Sequence, residues 1–327
     1  MKNPMISALV AVSFCYLMTS CAGLRNEQLK IQLEKSNCNQ LSIYSYTAQD
    51  IPTPIEHLKI DSDLKKNFGR KSLNIANAIG ALHLLKKYAD LKKDYAEHPS
   101  TEKRLELLEC TQKINQRINI ASLEISAVAS EMDCEEERAD QIASYLKDKE
   151  DNIETKLTVG GLVIGASGAL ASGFLVNKGN ANDYLGIGTG IAGAVAGVLI
   201  LTNKTKVEFY HKRNPLGDIW HAGETSTIFP PAVWYYLNYE DSSDCLRGSL
   251  RNQIKQKWMD LGEISGIKAE RKRKSLDLYF GAGGKYTAEQ LSKRADMLDQ
   301  IESIVNLMKQ DLKEFALAFE TIDTPVR

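Results

Sequence analysis

The chain has 327 residues, of which 25% are charged and 43% hydrophobic, a balance typical of a globular protein. Its 41 basic and 42 acidic residues leave a formal net charge of −1, so no global field favours binding to nucleic acid or to an anionic surface. Aromatic residues make up only 7% of the chain. Together with the scarcity of proline after residue 54, this composition favours long helices over a β-sandwich or barrel.

Residues 1–20 have the form of a secretion signal. A short positive start precedes an apolar stretch from Met5 to Met18, which is too short to span a bilayer as a helix. The stretch ends in Leu17-Met18-Thr19-Ser20-Cys21 and resembles the lipobox of bacterial lipoproteins, with Met18 where leucine is commoner. The resemblance implies cleavage before Cys21, acylation of Cys21 and lipid anchoring in the cell envelope. In a Gram-negative host, Ala22 rather than Asp after the lipidated cysteine implies the periplasmic face of the outer membrane.

Four further cysteines lie beyond the lipobox and are candidates for disulfides: Cys38, Cys110, Cys134 and Cys245. Cys110 and Cys134 lie on one predicted helix, about 36 Å apart at 1.5 Å per residue. A disulfide requires Cα atoms within about 7 Å, so this pair is excluded. The pattern that joins Cys110 to Cys134 would also join Cys38 to Cys245, and it is excluded with it. Two patterns remain: Cys38–Cys110 with Cys134–Cys245, or Cys38–Cys134 with Cys110–Cys245.

The first half of the chain predicts a polar tether followed by two helices. Residues 21–61 are polar and irregular, with a short strand-like patch at Leu41–Tyr46. Apolar residues recur every three or four positions from residue 62 to residue 95, which indicates one helix that ends before Pro99. Ser100 then caps a second helix, which runs without proline or glycine from Thr101 to Lys156. Residues 62–156 therefore form half of a coiled-coil-like bundle, and the acidic cluster at 131–140 predicts a solvated surface rather than a metal site.

Residues 157–203 hold two uncharged apolar runs, Leu157–Val176 and Leu185–Thr202, joined by a polar turn. Each run contains small residues at intervals of four, as in a glycine zipper: Gly161, Gly165, Ala169 and Gly173 in the first, and Gly186, Gly190, Gly193, Ala194 and Gly197 in the second. This spacing lets helix backbones approach closely, and about twenty helical residues match the thickness of a bilayer core. We expect a helical hairpin that associates with a membrane; the alternative is a hairpin buried within a soluble bundle.

The C-terminal part predicts an aromatic-rich connector at residues 204–242 and two helices at 243–327 that complete the bundle. The aromatic residues indicate either a belt at a bilayer interface or a small core closed by Pro230-Pro231. One helix runs from Ser243 to about Leu278, and the other begins at Thr287 with Gln290 as its capping-box partner. Between them, residues 281–287 look like a phosphate loop but lack its required glycine and its Ser or Thr, so we expect a flexible connector.

These features predict an all-α fold, an elongated helical bundle with a central glycine-rich hairpin. Long helices around an apolar hairpin resemble the helical pore-forming toxins of the haemolysin E and Bacillus enterotoxin class over residues 62–320, which implies insertion and oligomerisation. The sequence indicates no catalytic residues, no metal site and no cofactor. Our leading hypothesis is a non-enzymatic envelope lipoprotein with a structural or interaction role. Its expected partners are membrane lipids, further copies of itself or an envelope protein, and not nucleic acid. The alternative is a pore- or channel-forming protein.

Overall fold

The structure is a computed structural model that describes residue 38 and residues 45–174, 205–211, 213–221, 223–240, 248–260 and 269–323. For residues 157, 159–174 and 269–273 it describes the backbone only. Within these ranges the chain is mostly helical, as predicted, with one sheet of two strands.

The helices and strands follow one another along the chain in this order: α1 (Ser62–Asn67), α2 (Arg70–Ala78), α3 (Leu82–Glu97), α4 (Thr101–Phe174), β1 (Lys206–Tyr210), α5 (Pro215–His221), α6 (Pro231–Asn238), α7 (Leu250–Asp260), α8 (Ala269–Phe280), β2 (Gly283–Thr287) and α9 (Ala288–Asp323). Short 3₁₀ turns at Ala48–Asp50 and Ile55–His57 precede α1. The strands β1 and β2 pair with each other.

Three predictions about these elements were wrong. The single helix expected over residues 62–95 is divided into α1, α2 and α3, and Gly80 ends α2 with a positive φ of 69° that a side chain would disfavour. The helix expected from Ser243 to Leu278 is two helices, because α7 ends at Asp260 and α8 begins at Ala269. The expected connector at residues 281–287 contains strand β2. Of the strand-like patch at Leu41–Tyr46, only residues 45 and 46 are described, and they are not in a strand.

The helix ends that the sequence indicated are confirmed. The Ser100 hydroxyl accepts a hydrogen bond from the Lys103 backbone N–H at the start of α4. Thr287 and Gln290 exchange the two hydrogen bonds of a capping box, at 2.9 and 3.3 Å. The helix α4 continues past Lys156 to Phe174 and so includes most of the first hairpin arm.

The chain divides into two compact units. The first, the strand unit, contains described residues of Arg138–Tyr210 and Gly284–Ser292; the second, the helical unit, contains those of Asn37–Glu137, His211–Gly283 and Lys293–Arg327. In the strand unit, Phe209 of β1 meets Tyr286 of β2 edge to face at 5.9 Å, and both rings are fully buried. The Arg138 guanidinium lies 4.3 Å from the centre of the Phe209 ring, which is a cation–π contact.

In the helical unit, α9 packs antiparallel to the first part of α4. Thr111 of α4 contacts Asp323 at the end of α9, and fifteen residues later Ser126 contacts Lys309, fourteen residues earlier in α9. These contacts between polar side chains hold the two helices in one register. The apolar stripes predicted for both helices are buried. The buried stripes are Cys110, Ile114, Ala121, Ile125, Val128 and Met132 in α4, and Ala295, Leu298, Ile301, Val305, Met308, Leu312, Phe315 and Phe319 in α9.

The aromatic-rich stretch forms a small core, one of the two alternatives left open by the sequence. Phe229, Trp234, Tyr235 and Tyr236 are buried, and Pro231 of the proline pair is the first residue of α6. The helices α5 and α8 approach so closely at Gly217 that a Cβ there would lie 2.7 Å from the Phe280 carbonyl oxygen. This small core supplies one wall of a cleft in the helical unit.

A candidate ligand-binding cleft

A cleft of about 780 Å³ opens in the helical unit between the segment before α1 and the C-terminal end of α6. Its lining residues include Ile51, Pro52 and Pro54 on one side and Trp234, Tyr235 and Tyr239 on the other. The volume lies within the range of small-molecule pockets, which are mostly apolar with a few placed polar groups.

The tryptophan of the cleft is held rigidly by its neighbours. The ring of Trp234 stacks on Phe229 at 5.7 Å, and the Arg251 guanidinium lies 4.7 Å from its centre. Its Nε1–H donates to the Glu224 carbonyl oxygen at 3.1 Å. Since only 2% of Trp234 is exposed, it contributes a preformed apolar wall rather than a stacking surface for a ligand.

Hydrogen bonds of buried amide and phenol groups connect both walls of the cleft to helix α2. The Tyr235 hydroxyl donates to Asn74 Oδ1 at 2.7 Å and accepts from Asn77 Nδ2 at 3.2 Å. The same Asn77 amide donates to the Thr53 carbonyl oxygen at 2.8 Å, which ties the proline-rich segment to α2. Burial raises the pKa of Tyr235 above its ordinary value, so this phenol stays a hydrogen-bond donor. The cleft is therefore largely preformed.

The rim of the cleft is acidic. Glu56, Glu224 and Glu240 line it together with His57, and no lysine or arginine is among the described lining residues. Glu56 accepts hydrogen bonds from the Tyr239 hydroxyl at 2.6 Å and from Arg70 at 2.7 Å. Burial opposes the ionisation of Glu56, but these hydrogen bonds outweigh it and lower its pKa, while burial and the hydrogen bond to Glu56 raise the pKa of Tyr239 to about 12. An apolar cavity with three glutamates among its lining residues favours a ligand that carries positive charge on an apolar body.

An arginine behind the cleft joins three helices. Arg251 of α7 donates to the carbonyl oxygens of Ile219 at 2.8 Å and Asp218 at 3.2 Å, near the end of α5. It also donates to Asn238 Oδ1 at 2.9 Å, and Asn238 itself lines the cleft. Sequence reasoning missed this residue because a lone arginine among other charged residues gives no signal of burial.

The predicted lipidation and hairpin residues lie largely outside the described part of the chain. Cys21 lies outside it, as do Gly186, Gly190, Gly193, Ala194 and Gly197 of the second arm. Gly161, Gly165, Ala169 and Gly173 fall within α4, where the structure describes only the backbone. Across the residues whose side chains are described, no helix combines the length and apolar character needed to cross a bilayer.

One of the two disulfides in one predicted pattern is present. Cys38 and Cys134 form a disulfide, with Cα atoms 5.3 Å apart. Cys110 is a free buried thiol, so the companion bond Cys110–Cys245 is wrong, and so is the alternative Cys38–Cys110. Cys245 lies outside the described residues. Burial raises the pKa of Cys110, whose Sγ contacts the Leu84 carbonyl oxygen at 3.4 Å.

The acidic cluster on α4 is not uniformly solvated, which corrects the expectation for this surface. Glu131 is buried and receives two hydrogen bonds from the Arg213 guanidinium, at 2.9 and 3.3 Å. Further along, carboxylate oxygens of Asp133, Glu136 and Glu302 of α9 all lie within 4.8 Å of one another. Burial first, and then the charges of Asp133 and Asp299, raise the pKa of Glu302.

No family model, no curated protein and no solved structure matches this chain. Its function must therefore be inferred from the cleft, the disulfide and the sequence signals.

Proposed function

We propose that the protein is a non-enzymatic lipoprotein of the bacterial cell envelope, anchored through acyl chains on Cys21, whose helical unit binds a partner in the cleft. The observation that carries this proposal is the Cys38–Cys134 disulfide. Disulfides form and persist in exported proteins and are rare in the reducing cytosol. The bond thus supports the interpretation of residues 1–21 as an export and lipidation signal by a feature from another part of the chain.

The disulfide also limits the distance of the helical unit from the lipid. Cys38 lies seventeen positions after Cys21, and a fully extended chain of that length reaches about 60 Å. Acylation by two or more chains gives stable attachment to a bilayer. The cleft therefore remains within reach of partners at the membrane surface, on the periplasmic face of the outer membrane if the host has one.

Metabolic labelling with radioactive palmitate tests the anchor. We expect the full-length chain to incorporate label, Cys21→Ala to incorporate none, and Cys110→Ser, which removes a buried thiol, to incorporate label as the wild type does. Label that persists in Cys21→Ala, or a wild-type chain that takes none, would contradict lipidation. Thiol alkylation of the denatured protein before and after reduction tests export separately, because oxidised Cys38 and Cys134 become reactive only after reduction.

The glycine-rich hairpin is proposed to dock in the same membrane. Its small-residue spacing favours tight packing of the two arms or of hairpins from several copies, and the latter would make a pore. Dye release from liposomes distinguishes these roles. A structural hairpin releases no dye, whereas release that Gly165→Leu abolishes would favour the pore-forming alternative.

For the cleft, the acidic rim and apolar walls favour a partner segment that presents a lysine or arginine on an apolar backbone. A matched pair of peptides, acetyl-Leu-Lys-Leu-amide and acetyl-Leu-Glu-Leu-amide, tests this through tryptophan fluorescence, since Trp234 lies in the cleft wall. We expect only the basic peptide to bind, and Glu224→Lys with Glu240→Lys to weaken it at least about tenfold. Glu106→Lys, a carboxylate on α4 outside the cleft, is the control. Equal binding of both peptides would refute the charge argument.

A further inference from the structure

A second cavity, of about 360 Å³, lies in the helical unit beside the cleft. It is formed by the residues just before α1, by α1 itself and by the start of α2. We call it the small pocket, and its lining residues are Ile55, Glu56, Leu58, Ile60, Lys65, Phe68, Arg70 and Leu73. Glu56 also lines the cleft, so the two cavities share this residue. The volume of the small pocket is sufficient for a small ligand.

The walls of the small pocket are apolar and preformed. Five of its eight lining residues are aliphatic or aromatic. Ile55, Phe68 and Leu73 are buried residues of the core. Behind the pocket, the ring of Phe68 lies 6.0 Å from the ring of Phe315 in α9, measured between their centres. Because core packing holds these side chains, the cavity keeps its shape without a ligand.

The chemistry of the walls favours a hydrocarbon chain over a sugar or a peptide. Among the lining residues that the structure describes, no side chain carries an amide or a hydroxyl group. A sugar or a peptide brings several hydrogen-bonding groups, and each one that is buried without a partner is costly. An alkyl chain has no such groups and gains free energy from the burial of each methylene.

The charged residues of the small pocket favour an anion. Arg70 Nη2 donates to Glu56 Oε1 at 2.7 Å, and the Tyr239 hydroxyl donates to the same oxygen at 2.6 Å. Glu56 is the one acid among the described lining residues, and Arg70 balances its charge. Lys65 adds a second cation, and this residue is exposed, so its ammonium lies at the mouth of the pocket. The small pocket thus has a positive charge at its mouth, opposite in sign to the rim of the cleft.

We propose that the small pocket binds an anionic amphiphile with a single alkyl chain. The chain lies against the apolar walls, and its carboxylate or phosphate head stays at the hydrated mouth, where the Lys65 ammonium attracts it. A fatty acid and a phospholipid with one acyl chain share this chemistry. The inference does not rest on the proposed function, since it uses neither the acylation of Cys21 nor the ligand of the cleft.

Photolabelling of the full-length protein in phosphatidylcholine vesicles tests the site. The probe is decanoate with a photoreactive diazirine in its chain, and mass spectrometry locates the label. Among the described residues, we expect saturable label to concentrate within residues 55–73. A matched probe with the same chain and an alcohol head should need a concentration at least about tenfold higher. Equal labelling by both probes, or label that is concentrated in the cleft helix α6 instead, would overturn the proposal.

Neighbouring lysines of α1 provide a matched pair of variants. Lys65→Met keeps an apolar stem without the charge, and it should raise the half-saturating concentration of the acid probe about tenfold. Lys66→Met should change nothing, since Lys66 pairs with Asp63 and does not line the pocket. The alcohol probe should be unaffected by Lys65→Met, whereas a merely structural role of Lys65 would weaken both probes equally. An unchanged affinity for the acid probe in Lys65→Met would refute the proposal.

A second pair of variants tests the apolar wall. Ile60→Ala should weaken both probes about tenfold, as expected for the loss of contact with about two methylene groups. Ile120→Ala, the same change at an exposed isoleucine of α4, should have no effect. Circular dichroism should show wild-type helicity for each variant. If Ile60→Ala labels as the wild type does while it is folded, the chain does not lie in the small pocket.

Competition identifies the head group. Unlabelled decanoate and decyl phosphate carry the same chain, so displacement by decanoate alone assigns a fatty acid, and displacement by decyl phosphate alone assigns a phospholipid. Displacement by both shows that either anion is accepted. Displacement by neither, or by decanol as effectively as by the anions, would refute a site for an anionic amphiphile.

Discussion

Removal of the Cys38–Cys134 disulfide is expected to cost the helical unit a large part of its stability. The bond joins residues 96 positions apart in the sequence and so closes a long loop. In the chain-entropy account a loop of this length constrains the unfolded chain by about 4.7 kcal/mol. Since domains are stable by only about 5–15 kcal/mol, this is at least about 30% of the free energy of unfolding. Cys38→Ser and Cys134→Ser should lose it equally.

Urea unfolding, monitored by tryptophan fluorescence, measures this loss of stability in the helical unit. All three tryptophans, Trp220, Trp234 and Trp258, lie in the helical unit, so the signal reports that unit alone. With an m-value of about 3 kcal/mol/M, a loss of about 4.7 kcal/mol lowers the urea midpoint by about 1.6 M. Reduction should lower the wild-type midpoint to that of Cys38→Ser and leave the variant unchanged.

Cys110→Ser is the control that separates loss of the bond from loss of a sulfur atom. Its side chain is free and buried, and a serine hydroxyl can keep the contact with the Leu84 carbonyl oxygen. We expect a loss of about 1 kcal/mol, and reduction should still lower the midpoint of this variant. The reasoning is refuted if reduction leaves the wild-type midpoint unchanged, or if Cys110→Ser is destabilised as much as Cys38→Ser.

Three further predictions concern the ion pair, the carboxylate cluster and the membrane. Glu131→Gln should lower the free energy of unfolding by about 3 kcal/mol in the urea assay, because Arg213 loses its charged partner at a buried site. Glu109→Gln, in a pair exposed to solvent, should leave the urea midpoint nearly unchanged. The raised pKa of Glu302 means that the folded state binds the proton of this carboxyl more tightly than the unfolded state does. The contribution of Glu302 to the free energy of unfolding therefore falls as pH rises through the raised pKa. Glu302→Gln should be more stable than wild type near pH 7, and this advantage should disappear in acid. In carbonate extraction, Cys21→Ala should stay with the membrane if the hairpin inserts stably, and full release would exclude such insertion.

The long helices were predictable because their signals are local. The apolar stripes of α4 and α9 repeat every three or four residues, and the caps at Ser100 and Thr287 use only neighbouring groups. The breaks between α1, α2 and α3 were missed because the apolar stripe continues across them. Ile75 and Leu85 belong to different helices yet are buried in the same unit, so periodicity alone does not reveal the turn at Gly80. A glycine directly after an apolar helical run was the available signal.

Strand β2 and the cleft were not predictable for a different reason, namely that their partners lie far away in sequence. The strand at Gly283–Thr287 pairs with β1, which ends more than seventy residues earlier, and its glycines alone favour a loop. The cleft likewise combines Pro52 with Trp234 and Gly248, from three separate segments. Glu131 looked like one of several surface acids, and its partner Arg213 is 82 residues away.

Arginines help to explain why the predicted connector at residues 204–242 contains a packed core. The short helices and turns among the described residues of 213–281 leave backbone carbonyl groups without helical partners, and a buried carbonyl must be hydrogen-bonded. Arg251 donates to the Ile219 carbonyl oxygen, Arg213 to that of Thr227, and Arg294 to that of Tyr279. The planar guanidinium can serve several acceptors at once and still pack its stem against aromatic rings, which a lysine cannot do. The balanced net charge concealed this role, because a sequence total does not distinguish a surface arginine from a buried one such as Arg251, which joins the helices behind the cleft.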